Sequence, residues 1–299
     1  MDSATVAAAD RAARHWTSRT AGSGPGNDEH RVMFSRMLLD TFNPYKPAVL
    51  KWPELEPAAH DRLVSLPIWN IAVQTEGRAR LRVLSYARTI PDPLLRQAFD
   101  LMGFEEGRHK EVLSHMVAAY GIELEPEPEY VEPKDPEWGF MVMGYSECID
   151  SFFAFGLFEL ARRSGFFPEA LVETFEPVIQ EEGRHILFFT NWIAWHKRTM
   201  PLWRRPWFFL KTLAVWSFLV RERIGLARDV SAGEKEDANF TAAGAAAVGG
   251  EIDTAELMDV CLSENDRRLS GYDSRLIRPT TVPRLVRLAR LFMRRKQRR

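Results

Sequence analysis

Apolar positions recur along this chain with a spacing near 3.6, and no segment sustains the alternation of a strand, so the pattern predicts an all-α fold. Four long helices follow one another. The first runs from about Ile68 to Thr89 and stops at Pro91-Asp92-Pro93, and the second from about Pro93 to Tyr120, stopping at Gly121. The third runs from about Phe140 to Arg163 and ends at Ser164-Gly165, and the fourth starts at Pro168, a favourable first-turn residue, and reaches about Thr199. The turn inside each pair is short, whereas the Pro/Glu-rich stretch Glu123 to Trp138 can cross from one end of a bundle to the other. Two hairpins joined by one long connection make a four-helix bundle.

Around these helices the pattern weakens. Residues 1–30, with Gly22-Ser23-Gly24-Pro25-Gly26 near their end, read as a flexible leader, and residues 31–66 as an irregular or short-helical arm of a bundle domain spanning 31–200. Residues 201–299 read as accessory helices: an aromatic-basic stretch from Trp203 to Arg223, a helix from Asp253 to Leu269, and an amphipathic end from Val282. With 299 residues, 45% of them hydrophobic, one large domain with a sizeable core fits better than two.

The net charge of −1 conceals an uneven distribution: Arg284 to Arg299 hold eight Lys/Arg and no acid, which leaves about −9 on the rest. Such a tail points either to an anionic partner or to a solvated terminus. Cys148 and Cys261 are too few for a disulfide framework and lack neighbours at zinc-ligand spacing. The first residues show no secretory signal, and Pro206 to Val220, interrupted by Lys211, is too short to span a bilayer, so the expected location is the cytoplasm.

Chemistry enters with a repeated pentapeptide. Glu105-Glu106-Gly107-Arg108-His109 lies in the second helix and Glu181-Glu182-Gly183-Arg184-His185 in the fourth. Helical positions three apart are surface neighbours, so Glu106 with His109, and Glu182 with His185, can each offer an oxygen and a nitrogen to one metal ion. One Glu-x-x-His means nothing; two intact copies, each in the second helix of a hairpin, point to a shared site. Counting back through the first turn, Glu106 pairs in depth with Glu76. Counting through the second, Glu182 pairs with Cys148, flanked by Glu147 and Asp150 in an otherwise largely apolar run. Carboxylates meeting in a bundle interior are prohibitive unless cations resolve them. Glu147 lies nearer the counted position, while moving the turn centre by one residue favours Asp150.

On these motifs residues 65–200 resemble the ferritin-like di-iron carboxylate superfamily, which includes acyl-carrier-protein desaturases, bacterial multicomponent monooxygenase hydroxylases, rubrerythrins and the small subunit of class I ribonucleotide reductase. The resemblance implies a ferritin-like four-helix bundle in which Glu76, Glu106 and His109 serve one metal and Glu147, Glu182 and His185 the other, Glu106 and Glu182 bridging. A metal-bound histidine usually gives its second N–H to a carboxylate, so Glu105 is expected on His185 and Glu181 on His109. The arginines two residues after each ligand (Arg78, Arg108, Arg184) are expected to form ion pairs at the rim, and the glycines between (Gly77, Gly107, Gly183) to mark close helix approach. Ser151 occupies a place where monooxygenase relatives often carry a hydroxyl that passes protons.

Carboxylate-rich ligation suits two iron ions, or manganese, better than copper or zinc. The resemblance then implies an oxidase or oxygenase using O2, an electron-donor protein or reductant and a small apolar substrate, with metal or iron handling without an organic substrate as the alternative. Leu113 stands where a ribonucleotide reductase would carry its radical tyrosine, and two cysteines cannot build a rubredoxin site. The Phe152, Phe153, Phe155, Leu157 and Phe158 stripe reads first as core. The stretches 203–223 and 282–299 read either as interfacial membrane elements or as faces packed on the bundle or in a homodimer. The acidic body argues against nucleic acid as the partner of the arginine-rich end.

Overall fold

The computed structural model describes residues 3–19, 24–232 and 254–297. Among them are ten α-helices and no strand, an all-α fold. In chain order they are α1 (Ser3–His15), α2 (Asp28–Asp40), α3 (Pro57–Val64), α4 (Trp69–Ala87), α5 (Pro93–Ala119), α6 (Pro136–Ser164), α7 (Glu169–Thr199), α8 (Arg205–Ala232), α9 (Thr254–Leu269) and α10 (Thr281–Gln297).

The ends of the long helices follow from local chemistry. Asp92 caps α5 by accepting from Leu95 N at 2.8 Å, with Pro93 at the first helical position, where its missing N–H does no harm. Asp135 and Pro136 repeat the device on α6, which therefore begins four residues before the expected Phe140. Gly165, at φ 66°, ends α6 in a left-handed turn that a side chain would strain.

Helices α4 and α5 pack along one another; α6 packs on both α4 and α7, and α5 also touches α7. Helix α2 lies against α5 and α7, while α8 and α9 pack on α6. Glycines allow close approach on α6: a Cβ at Gly144 would land 2.1 Å from the Phe189 ring of α7, and one at Gly156 would land 2.8 Å from the backbone of Cys261 in α9.

One expectation about the N-terminal part is corrected, and the arm takes the short-helical of its two readings. Within the supposed leader, α1 docks Val6 and Ala13 into buried positions, and Arg14 donates to the Arg267 and Ser270 carbonyls at 2.7 and 3.0 Å. Of the Gly-Ser-Gly-Pro-Gly stretch, Gly22 and Ser23 lie outside the described residues. The arm contains a full helix, α2, capped by Asn27 and buried through Phe34, Met37 and Leu38, whose i, i+3, i+4 spacing is an apolar stripe.

The core is divided along its length. One apolar cluster gathers Phe34, Val83, Phe99, Phe140, Phe188 and Trp192; another gathers Leu63, Val73, Leu113, Met116 and Leu171. On α4 and α5 the step from one cluster to the other falls on the acids: Glu76 lies between Val73 and Ala79, and Glu105 and Glu106 between Met102 and Leu113; on α7 the step falls between Phe175 and Ile179, and Glu181 and Glu182 follow it directly.

Candidate metal centre

Because α5 and α7 each carry the pentapeptide at this level, both copies point into one charged layer. Glu105, Glu106, His109, Glu181 and His185 are almost fully buried. Glu76 and Glu182 retain 19% and 16% side-chain exposure, and Glu147 is partly buried. Three groups of side chains there can hold a metal ion: Glu106 with His109 and His185, Glu76 with His109 and Glu182, and Glu147 with Glu182 and His185. Glu182 belongs to both outer groups, and Glu106 lies with both histidines.

Each histidine is anchored from behind by the opposite helix. His109 Nε2 donates to Glu181 Oε2 at 2.9 Å, and His185 Nε2 to Glu105 Oε2 at 2.8 Å. A ring whose Nε2–H is given to a carboxylate presents Nδ1 on its other side. Both Nδ1 atoms are buried without a hydrogen bond, as are Glu106 Oε1 and both oxygens of Glu147. They face acids: His109 Nδ1 is 3.2 Å from Glu182 and 3.7 Å from Glu76, and His185 Nδ1 is 3.0 Å from Glu106, near but not directed as a hydrogen bond. Buried polar atoms left bare on facing side chains are the arrangement a cation completes.

The arginines are not at the rim. Arg108 and Arg184 are buried, and each pairs with a glutamate of the other helix. Arg184 Nη1 lies 2.9 Å from Glu105 Oε1, and Arg108 Nη2 binds Glu181 Oε1. Arg184 also donates to Leu38 O and Thr41 Oγ1 at 2.6 and 2.9 Å, and Arg108 to Asn43 O and Tyr45 O at 2.7 and 3.1 Å, so the layer is laced to α2 and the segment after it. The reason lies in helical spacing: each arginine is two residues from the ligand glutamate but three from its neighbour, and so shares a face with Glu105 or Glu181. Arg78, by contrast, is partly exposed and donates to Thr75 Oγ1 at 3.4 Å. Tyr45, which sequence reasoning missed, donates to Glu181 Oε2 at 3.2 Å beneath the Arg108 guanidinium, 3.9 Å from its ring centre. Nothing in its local sequence marks it; the duplicated arginine was the available signal.

Two other expectations change. Asp150 is not part of the cluster: it accepts from Ser146 Oγ at 2.8 Å and pairs with Arg223 of α8 at 2.9 Å, while Glu147 faces the layer. The glycines beside the ligands share no common cause. A Cβ at Gly77 would strike the Tyr130 ring at 2.7 Å and one at Gly107 would press the Arg80 side chain at 3.1 Å, but one at Gly183 would meet only Leu269, at 4.0 Å. Phe152 and Phe155 are core, and Ser151 Oγ donates to Glu182 Oε2 at 3.1 Å.

Counting charge shows what the layer lacks. Six carboxylates (Glu76, Glu105, Glu106, Glu147, Glu181, Glu182) face two arginines, a surplus of four negative charges when the acids are ionised and the histidines neutral. On its own the protein meets the surplus with protons. Burial, reinforced by Glu106 and Glu182 against the pull of His109, pushes Glu76 up to about 8. Burial and the charges of Glu106 and Glu182 hold Glu147 well above the usual carboxylate range. Burial opposes charge on His185, but Glu106 and Glu105 outweigh it and hold the imidazole at about 10. Burial opposes charge on His109 too, but Glu181 and Glu182 raise it well above the usual imidazole range. Glu105 is the opposite case: burial would raise it, but Arg184 and His185 keep it at about 2. Two divalent cations would supply the four positive charges without any proton.

No family model, no curated protein and no solved structure matches this chain, so the reading of the centre rests on its own geometry.

Proposed function

We propose that α4, α5, α6 and α7 form a ferritin-like four-helix bundle holding two divalent metal ions, iron before manganese, and that the protein is an O2-dependent oxidase or oxygenase of a small apolar organic molecule. The observation that carries this reading is the layer itself: two bare, inward Nδ1 atoms, each ring braced by a buried glutamate, among carboxylates with four charges too many. Glu76, Glu106 and His109 would hold one ion and Glu147, Glu182 and His185 the other, with Glu106 and Glu182 shared. A pair of ferrous ions supplies electrons to O2, and the oxygen-rich donor set with only two imidazoles favours iron or manganese over copper and zinc.

The remaining work belongs to the chain. Glu105 and Glu181 orient the imidazoles and raise their basicity, and Arg184 and Arg108 give those two acids buried partners. Ser151 donates a hydrogen bond to Glu182, which holds its hydroxyl at the edge of the layer. The apolar clusters on either side exclude water, which strengthens every charge interaction between them. A reductant from outside must return the electrons.

Elemental analysis of the wild type and of a Glu106→Ala, His185→Ala double variant tests the centre. About two iron or manganese per chain, largely lost in the variant, is expected. Wild type that takes up no ferrous ion without air would remove the centre from the account. Metal retained with no O2 consumption across apolar substrates would assign the chain to metal handling instead.

A further inference from the structure

Outside the charged layer, the molecule keeps large apolar side chains in water. Leu202, Trp203 and Trp207 are 73%, 71% and 70% exposed, and Leu210, Leu213 and Phe218 continue the face along α8. Within α8, Trp207, Leu210 and Phe218 stand at i, i+3 and i+11, one face of the helix, and Leu202 and Trp203 lie in the short turn just before it. On α10, Leu285, Leu288, Leu291 and Phe292 are each at least half exposed, at 57%, 50%, 55% and 60%. Single exposed apolar residues are ordinary, but runs of them on two helices mark an interaction surface. The two helices are anchored to the same stretch of α6: Trp216 of α8 and Val282 and Val286 of α10 join one cluster with Ile149, Phe152 and Phe153.

The charges beside these faces are cationic. Lys197, Arg198 and Arg204 are exposed around the start of α8, and Arg284 and Arg287 are exposed on α10. Nearby acids are already engaged: Asp135 and Glu137 with Lys211, Asp150 with Arg223, Asp259 with Arg290, and Asp266 with Arg287 itself, at 3.3 Å on the surface. From Arg284 onward the sequence has eight Lys/Arg and no acid.

We infer that α8 and α10 form a peripheral docking surface for a bilayer rich in anionic phospholipid. Leu and Phe enter the acyl boundary, the two tryptophans sit at headgroup depth, and the arginines meet the phosphates. A second copy of the chain is the poorer occupant. A two-fold interface sets a patch against itself, and here it would bring the cations of both copies together. An anionic bilayer instead neutralises them. Among the described residues no helix is long and apolar enough to cross a membrane, so the contact is with the surface.

Flotation of the full chain with vesicles tests this, independently of the metal reading. Phosphatidylcholine vesicles, with and without phosphatidylserine, are compared for wild type and for a Trp207→Ser, Phe292→Ser variant; both side chains are exposed, so the fold and metal content should be unchanged. Wild type should float with the phosphatidylserine vesicles, and either neutral lipid or the double substitution should reduce the bound fraction about tenfold. Folded wild type that stays at the bottom of the gradient, or a variant that floats as well as wild type, overturns the proposal. A dimer in sedimentation that the same substitutions dissociate, with no lipid binding, would give the face to a second copy.

Discussion

At the residue scale, the centre depends on side chains that would touch no metal. Glu181 joins three partners at once: it accepts from His109 and Tyr45 and pairs with Arg108. In Glu181→Gln the amide oxygen can still accept from His109, but the charge that raises ring basicity is gone and Arg108 loses its buried counter-ion. Metal affinity should fall about 10–100-fold while the far-ultraviolet dichroism of the folded chain persists. Unchanged affinity in a metal titration would show that Glu181 does not support the site. This pairing could be anticipated from the sequence, because a carboxylate beside each ligand and about 100° round the helix must face something buried. The arginines could be placed too, had their spacing been counted from Glu105 and Glu181. Asp150 could not: its partner Arg223 is 73 residues away on a helix outside the hairpins, and no spacing rule reaches it.

At the element scale, two glycines separate packing from propensity. Gly156 receives the backbone of α9, which cannot yield as a flexible side chain would. Gly156→Ala should therefore destabilise by about 1–3 kcal/mol, seen as a lower denaturant midpoint. Gly183 sits mid-helix in α7 with open space where a Cβ would go, so Gly183→Ala should stabilise by up to about 1 kcal/mol. If both substitutions shift the midpoint the same way, the packing account fails. Helix limits were the most legible property of the chain. Pro91-Asp92-Pro93 and Ser164-Gly165 are strong stops, and α5 runs from Pro93 to Ala119 where the pattern predicts Pro93 to about Tyr120. What the pattern misjudged was α1. A short helix at the edge of a domain is decided by what it docks against, and Arg14 reaches carbonyls more than 250 residues away.

At the scale of the whole molecule, the charge surplus makes metal uptake a proton exchange. Glu76 has its folded pKa raised to about 8, so the metal-free fold holds a proton there that the unfolded chain releases from about 4.5. The sign follows: this group favours the metal-free fold at low pH, and the benefit is lost as pH rises toward 8. A metal ion must displace that proton, together with those on the histidines. Affinity should therefore fall as pH drops below 8, roughly tenfold per unit for each proton released. Calorimetry in buffers of different ionisation enthalpy counts those protons, and a count of zero would contradict the charge account. The lacing of the layer has a second consequence, in time. Each motif is completed by the other: 72 residues separate His109 from Glu181, and 80 separate Glu105 from His185. A ribosome releases α5 with its acids, arginine and histidine facing inward long before α7 exists to answer them. Whatever the apolar ends do first, the charged layer can close only when the second copy arrives, and neither copy can be inherited or lost alone without stranding buried charge in the other.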